Sequence, residues 1–212
     1  MDLGDIEVKL IRTEDGFSHA REVLEGVAKE REWPIDKVVK SHPKSLYWLA
    51  YKNCSPAGVI KVVLGDPNKF PIKENEAWPE LIISSESCIE VAIAAVKPEY
   101  RGIRDVFLAM FAKMYADLSE IGITEIYAIL DRKIQLLYKR VGLSFEEIPE
   151  SAGGGRRQYW GEETFPAVLN LPKTLVLLEK KQNRLWQLVC VANSQKDHIV
   201  NRRRKAMRKR LA

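Results

Sequence analysis

The sequence predicts an α/β (α+β) fold in which a mixed, mostly antiparallel central sheet carries helices on both faces. Three observations predict it. The elements follow in the order strand, helix, antiparallel hairpin, buried strand, long helix, strand, helix and strand. The long helix after Val96 connects two buried strands, and such a crossover joins parallel strands. The chain has 212 residues, of which 46% are apolar, and this is enough for one sizeable core.

The first half of the chain supplies a strand, a helix and a hairpin. Residues 6–13 predict a strand, and "TEDG" begins a helix over 17–32 whose apolar residues recur at helical spacing. Pro34 interrupts this helix. "SLYWLAYKN" and "AGVIKVVLGD" are strand-like runs around the turn signal "CSP", which indicates a hairpin. Residues 66–87, rich in Pro, Asn, Lys and Glu, are predicted to be mostly loop.

The second half contains the clearest strand and helix. Residues 88–96 form an apolar run typical of a buried strand, and residues 103–120 carry one apolar helical stripe. "TEIYAIL" then predicts a strand, "IQLLYKRVG" a helix and "LSFEEI" a strand. From Leu171 the pattern is helical. We therefore expect a domain over 1–171 and a helical C-terminal extension over 172–212 that ends in a basic tail.

The charge is concentrated at the C-terminus. The net charge is +5, and residues 201–212 hold seven Lys/Arg and no acid, so the rest of the chain is close to neutral. The simplest interpretation is a solvated helix end. An acidic protein partner, contact with an anionic membrane surface and nucleic-acid binding stay open, and nucleic acid ranks last because no aromatic residues interleave with the cations.

Composition also bears on location and metals. The N-terminus has no hydrophobic signal core, and no apolar run approaches the ~20 residues of a membrane span, so a cytoplasmic location is expected. The cysteines (Cys54, Cys88 and Cys190) are odd in number and far apart, which predicts reduced, mostly buried thiols. The three histidines show no ligand spacing, and no bound metal is predicted.

Glu90 is the one carboxylate in the apolar run 88–96. Strict alternation would place it on one face with Ala92, Ala94 and Val96, beside small residues that leave room. A partly desolvated carboxylate has a raised pKa and can act as a general base nearer neutral pH. The alternative is a structural glutamate that pairs with an arginine or caps backbone N–H groups.

Several motifs resemble one superfamily. The strand, "VKPEYRG" and the long helix are similar to the acyl-donor motif of the GNAT (Gcn5-related) N-acyltransferases, as is "LLYKRVGLSFEEI". More narrowly, "EVAIAAVKPEYRG" resembles the E-x-S-R-x-x-V-x-P-x-x-R stretch of acyl-homoserine-lactone synthases and long-chain N-acyl amino acid synthases. "GVIKV" is similar to the G-x-x-R-L strand of that branch, with Lys61 in place of the arginine. Together the motifs span roughly residues 6–171.

The resemblance implies a reaction. An acyl group would move from a phosphopantetheine thioester, on acyl-CoA or an acyl carrier protein, to a primary amine such as an amino acid, with no tightly bound cofactor. Glu90 falls on the glutamate that activates the amine, and Tyr138 on the tyrosine that protonates the departing thiolate. A core aromatic is the alternative for Tyr138. Trp33, Trp78 and Trp160 are candidates to line a pocket or simply to pack.

The segment to which the resemblance assigns donor binding departs from the superfamily pattern. It comprises Val96, Arg101, Gly102, Ile103, Arg104, Asp105 and Val106. Arg104 and Val106 stand where glycines usually let backbone N–H groups close around a pyrophosphate, and Asp105 adds a negative charge. This favours an acyl carrier protein, which presents a single phosphodiester. Ala92 and Ile93 also replace the Ser and Arg of the synthase branch, which leaves the acceptor and the activity open.

The leading hypothesis is therefore a long-chain N-acyltransferase of the N-acyl amino acid or autoinducer synthase type. An acetyl-CoA-dependent N-acetyltransferase and a catalytically silent GNAT-fold binding protein are the alternatives.

Overall fold

The computed structural model describes residues 5–74, 77–101 and 104–195, without the side chain of Arg104. Within these ranges the chain forms eight strands. They are β1 (Ile6–Leu10), β2 (Ser45–Lys52), β3 (Ser55–Val63), β4 (Cys88–Val96), β5 (Glu125–Asp131), β6 (Glu146–Glu147), β7 (Arg157–Tyr159) and β8 (Glu162–Asn170). Gly102, Ile103 and the basic residues 201–212 lie outside the described residues.

Seven helices accompany the strands in the described part of the chain. They are α1 (Glu14–Glu30), α2 (Ile35–Val39), α3 (Pro71–Glu74), α4 (Arg104–Ser119), α5 (Arg132–Val141), α6 (Leu171–Lys181) and α7 (184–195). Side chains cap several N-termini: Thr13 accepts the N–H of Gly16, and Asp131 accepts the N–H of Ile134. Gly142 ends α5 in a left-handed conformation with φ of +98°. These signals explain why the helix positions were readable from sequence.

The strands form one mixed sheet in the order β1-β2-β3-β4-β5-β8-β6, and β7 pairs with β8. β4 and β5 are parallel, and the other pairs are antiparallel. β2 and β3 form the predicted hairpin through Asn53 and Cys54, which both have positive φ. The predicted fold class is therefore confirmed.

Both faces of the sheet are covered. One face, called the α4 face below, packs against α4, α6 and α7. Its core includes Ile60, Ile89, Met110, Phe165 and Leu188. The opposite face, which carries Glu90 and is called the Glu90 face below, packs against α1, α2 and residues 66–87. Helices α6 and α7 contribute Leu178, Leu185 and Val189 to the main core, so these helices share the core of the sheet.

Two sequence expectations need correction, and a third is confirmed with an addition. The described part of residues 66–87 is mostly loop, as predicted, but its side chains Phe70, Ile72, Trp78 and Leu81 are fully buried in the core of the Glu90 face. "LSFEEI" forms a strand of only two residues. Of the cysteines only Cys88 is buried, because Cys54 lies in the hairpin turn and Cys190 lies on an exposed part of α7.

The described residues offer neither a membrane-spanning helix nor a metal-binding cluster. Among them, no helix is both long and apolar enough to cross a membrane. The same residues contain no group of three or more His, Cys, Asp or Glu side chains placed to hold a metal ion.

Candidate active site

β4 and β5 separate near the middle of the sheet. Their parallel pairing joins Cys88, Ile89 and Glu90 to Glu125, Ile126 and Tyr127, and the described ladder ends there. A cavity of about 1270 Å³ occupies the region beyond this point, and residues from both faces of the sheet line it. The gap between the two strands therefore connects the Glu90 face with the α4 face.

Glu90 lies where the two strands part. Its side chain is buried, with 2% of the residue exposed, and lines the cavity. Oε2 accepts the backbone N–H of Ile72 at 2.9 Å, whereas no hydrogen bond from a described residue occupies Oε1. Burial raises the pKa of Glu90 to about 8; the Ile72 N–H and the charge of Lys61 oppose this rise, and the charge of Glu74 adds to it. The carboxyl group can therefore exchange a proton near neutral pH.

Lys61 of β3 is the second buried charged residue on the Glu90 face. It lines the same cavity, is 4% exposed, and its ammonium donates to the carbonyl oxygen of Lys40. Burial lowers the pKa of Lys61, and the attraction of Glu90 partly offsets that effect. Its positive charge favours the ionised form of Glu90.

A β-bulge in β4 overturns the predicted alternation. Lys61 pairs with Ile93 and Val62 with Val91, so Ala92 has no partner in β3. Ala92 and Ile93 both pack on the Glu90 face, and Ala94 and Val96 pack on the α4 face. The expectation that Glu90 shares a face with Ala94 and Val96 is thus wrong, because one extra residue reverses every later side chain.

Tyr138 reaches the cavity from α5. Its half-buried ring stacks on Phe107, with centroids 5.1 Å apart and planes at 11°, and contacts Phe145 at 5.5 Å. Burial, and to a smaller extent the Asp131 carboxylate, raises the pKa of the phenol. The phenol therefore keeps its proton at neutral pH and is a potential acid.

The segment predicted to bind the donor begins at Val96, which lines the cavity at the end of β4. Arg101 forms a bidentate ion pair with Glu30 and donates through Nε to the carbonyl oxygen of Val96 at 3.0 Å. Its guanidinium is therefore already occupied by the protein. Arg104 is the first residue of α4.

Asp105 and Val106 complete the described part of this segment. Arg184 of α7 forms an ion pair with Asp105, so the negative charge at the start of α4 is compensated. The side chain of Val106 is fully buried in the core. Only its backbone is therefore suited to contact a ligand.

Aromatic residues enclose the cavity on the Glu90 face. Trp33, Tyr159 and Trp160 line it, whereas Trp78 is fully buried and donates through Nε1 to the carbonyl oxygen of Gly155 at 3.0 Å. Thr164 also lines the cavity, and the sequence did not single it out. Its place is set by the pairing of β8 with β5 and β7, which no local motif encodes.

The two ends of the cavity differ chemically. On the α4 face the lining is apolar and includes Ile60, Phe107, Leu108, Phe111, Met114 and Leu130. On the Glu90 face it includes Lys37, Lys40, Lys61, Glu74 and Glu90. The site can therefore accommodate an apolar chain at one end and a polar, ionisable group at the other.

No family model and no curated protein matches the sequence. Solved structures do match. BjaI, a CoA-dependent acyl-homoserine lactone synthase solved with MTA, is 19% identical with a TM-score of 0.64, over 89% of this chain and 99% of that chain. FeeM, an N-acyl amino acid synthase from uncultured soil microbes, is 15% identical with a TM-score of 0.62, over 86% and 97%. Tetrahymena Gcn5 is 13% identical with a TM-score of 0.52, over 77% and 96%.

The chain therefore has the GNAT fold, as its motifs predicted. Within that fold it resembles the branch of N-acyl amino acid and acyl-homoserine-lactone synthases.

Proposed function

We propose that the protein is an N-acyltransferase that moves an acyl group from a phosphopantetheine thioester to a primary amine. The observation that carries the proposal is the position of Glu90. A buried carboxyl group with a pKa of about 8 lines the cavity where β4 and β5 part. Two of the similar structures are named as an N-acyl amino acid synthase and a CoA-dependent acyl-homoserine lactone synthase, which supports the reaction class.

Glu90 and Tyr138 would share the proton transfers. Ionised Glu90 accepts a proton from the amine, directly or through a water molecule, and the amine nitrogen attacks the thioester carbonyl carbon. The C–N bond forms and the C–S bond breaks. Tyr138 donates its proton to the departing thiolate, because its raised pKa keeps the phenol protonated until then. The products are an amide and a free thiol, and no acyl-enzyme forms.

The donor arm would lie along β4. Beyond Glu90 the described ladder gives β4 no partner on its β5 side, so this edge can pair with the amide groups of a phosphopantetheine arm, as an added strand would. The phosphate would then lie near the N-terminus of α4, where unpaired N–H groups favour anions. Arg184 compensates the negative charge of Asp105, so this charge does not oppose the binding of a phosphate there.

The acyl chain would occupy the apolar end of the cavity. A volume of about 1270 Å³ exceeds the ~300–1,000 Å³ of ordinary small-molecule sites. An acetyl group would leave most of the apolar lining without contacts, whereas a long chain would fill it. We therefore propose a donor with a long acyl chain, either a long-chain acyl-CoA or a long-chain acyl carrier protein.

Thermal stability in the presence of three acyl donors and of CoA tests the proposal. A ligand that binds only the folded protein raises the Tm with concentration. We expect a rise with a long-chain acyl-CoA or a long-chain acyl carrier protein, and a smaller one with CoA or acetyl-CoA. The active donor is then combined with a panel of amines, with Glu90→Gln as control. A rise with acetyl-CoA alone would favour an acetyltransferase, and no response to any donor would indicate a scaffold without a donor site.

A further inference from the structure

Trp160 occupies a backbone position that disfavours a tryptophan. β7 and β8 are joined by the two-residue turn Trp160–Gly161, with φ of +51° and +82°. Turns of this kind favour Asn, Asp or Gly at the first position, since a side chain with positive φ is strained. A strained residue in a cavity wall points to a role for its side chain.

The indole ring of Trp160 packs against two other aromatic rings. It stacks on Tyr159, with ring centroids 4.7 Å apart and planes at 22°. The ring centroid of Trp33 lies 5.6 Å away. All three rings line the cavity. Two aromatic neighbours therefore place the indole ring of Trp160 at the cavity wall.

The polar atom of this ring has no partner. Among the described residues three buried side-chain polar atoms lack a hydrogen bond: Ser45 Oγ, Trp160 Nε1 and Thr164 Oγ1. The last two belong to residues that line the cavity. In contrast, Nε1 of Trp48 donates to Asp117 at 2.8 Å and Nε1 of Trp78 donates to Gly155 at 3.0 Å. Buried donors are normally satisfied, so these two exceptions require an explanation.

Both residues lie on the side of the sheet that would hold the amine. Thr164 pairs with Asp131 of β5 and Arg157 of β7. In β5, Tyr127 and Ile129 pack on the Glu90 face, and alternation places Asp131 and its partner Thr164 there as well. Thr164 is only 8% exposed. The acids nearby are already engaged, because Asp131 caps α5 and Glu162 lies 3.9 Å from Arg31.

We propose that Trp160 and Thr164 form a binding subsite for a carbonyl-type oxygen, carboxylate or amide, of the amine substrate. This inference rests on the proposed function and deepens it. An indole N–H only donates and a threonine hydroxyl can also donate, so the missing partner is an oxygen acceptor. Because both polar atoms are buried, binding includes a small side-chain rotation that presents them to the cavity.

Stability without ligand gives the first test. Thr164→Val replaces the hydroxyl with a methyl group of similar size, whereas Trp160→Phe removes Nε1 together with two ring carbons. Removing an unpaired buried polar group without changing the shape leaves stability unchanged or improved, so Thr164→Val should not lower the Tm, and Trp160→Phe should lower it less than Trp78→Phe does. Trp78→Phe is the matched control and should lower it, since the Gly155 carbonyl loses its donor. A drop as large in Trp160→Phe or Thr164→Val as in Trp78→Phe would overturn the proposal.

Substrate dependence gives the second test, with an α-amino acid, its primary amide and the corresponding decarboxylated amine. We expect both variants to raise the KM for the amino acid and for its amide about tenfold. The KM for the decarboxylated amine should stay unchanged. An equal effect on all three would overturn the proposal, because it would indicate a purely structural role.

Binding gives a readout that needs no turnover. In a ¹H–¹⁵N spectrum the Trp160 indole signal, assigned by its loss in Trp160→Phe, should shift when the amino acid is added. A shift with CoA alone, and none with any amine, would assign the subsite to the donor and overturn the proposal. If the protein transfers no acyl group from any donor, the proposed function fails, whereas the indole titration still decides whether this subsite binds amines.

Discussion

The carboxylate of Glu90 accepts the backbone N–H of Ile72, 2.9 Å away in the short helix α3. This hydrogen bond agrees with the structural interpretation of Glu90, in which its carboxylate caps a backbone N–H group. It leaves Oε1 without a hydrogen bond from any described residue, so a structural and a chemical role are compatible. Since burial outweighs both the N–H and Lys61, the pKa of Glu90 is about 8.

The rate of acyl transfer should rise with pH up to about 8. The base must be ionised, so kcat/KM should increase about tenfold per pH unit below the pKa of Glu90 and level off above it. The measurement is a pH profile with two amines of different basicity. A midpoint that stays near 8 with both amines belongs to the enzyme, whereas one that follows the amine would argue against Glu90 as the base. Glu90→Gln should abolish this rise.

The same residue should make folding stability depend on pH. Its pKa rises from the ordinary 4.5 to about 8 on folding, so between these values the folded chain holds a proton that the unfolded chain has lost. The free energy of unfolding therefore falls as pH rises through this window, with a slope approaching about 1.4 kcal/mol per pH unit, and the fall ends above pH ~8. Urea unfolding of wild type and Glu90→Gln checks this. Glu90→Gln should gain relative stability with pH, and parallel curves would contradict the raised pKa.

Much of the fold was readable because local signals agree with it. The cap at Thr13, the glycine after α5 and the apolar stripe of α4 each predict an element that the structure contains. The loop character of residues 66–87 was predicted, but the burial of four of their side chains was not, because the composition is polar and proline-rich. These side chains contact strands that are distant in sequence, and such contacts leave no periodic signal.

The site was only partly readable for the same reason. Glu90 stands out because a carboxylate interrupts an apolar strand. The bulge at Ala92 does not stand out in the sequence. One extra residue in a strand changes which face of the sheet the later side chains occupy, but it does not change the composition. Thr164 enters the site through strand pairing alone.

Tyr138→Phe should lower kcat while leaving stability nearly unchanged. The substitution keeps the ring that stacks on Phe107 and Phe145 and removes the acid that would protonate the thiolate. General acid catalysis typically contributes about 10²–10⁴-fold, so we expect a loss of roughly a hundredfold or more. Tyr115→Phe is the control, because this half-buried tyrosine of α4 is absent from the cavity lining. An unchanged kcat in Tyr138→Phe would mean that the tyrosine simply packs.

Ala128→Leu should shorten the acyl chain that the protein prefers. Ala128 is buried in β5 and lines the apolar end of the cavity, so a larger side chain there fills part of the volume that a long chain would use. Steady-state kinetics with short-chain and long-chain thioesters should show KM rising for the long chains alone. An equal loss with both would indicate general damage to the site, and an unchanged profile would place the acyl chain elsewhere.

Arg184→Ala should weaken donor binding without contact between Arg184 and the donor. Arg184 compensates Asp105 in the first turn of α4, and without it an unpaired negative charge remains where the donor phosphate would lie. Charges at a helix end contribute about 0.3–1 kcal/mol, so KM for the donor should rise up to about fivefold, less at high salt. Asp105→Asn combined with Arg184→Ala should restore the wild-type KM. Lys173→Ala, which breaks an exposed ion pair with Glu146, should have no effect and serves as the control. If Arg184→Ala leaves KM unchanged at low salt, the donor phosphate does not bind at the N-terminus of α4.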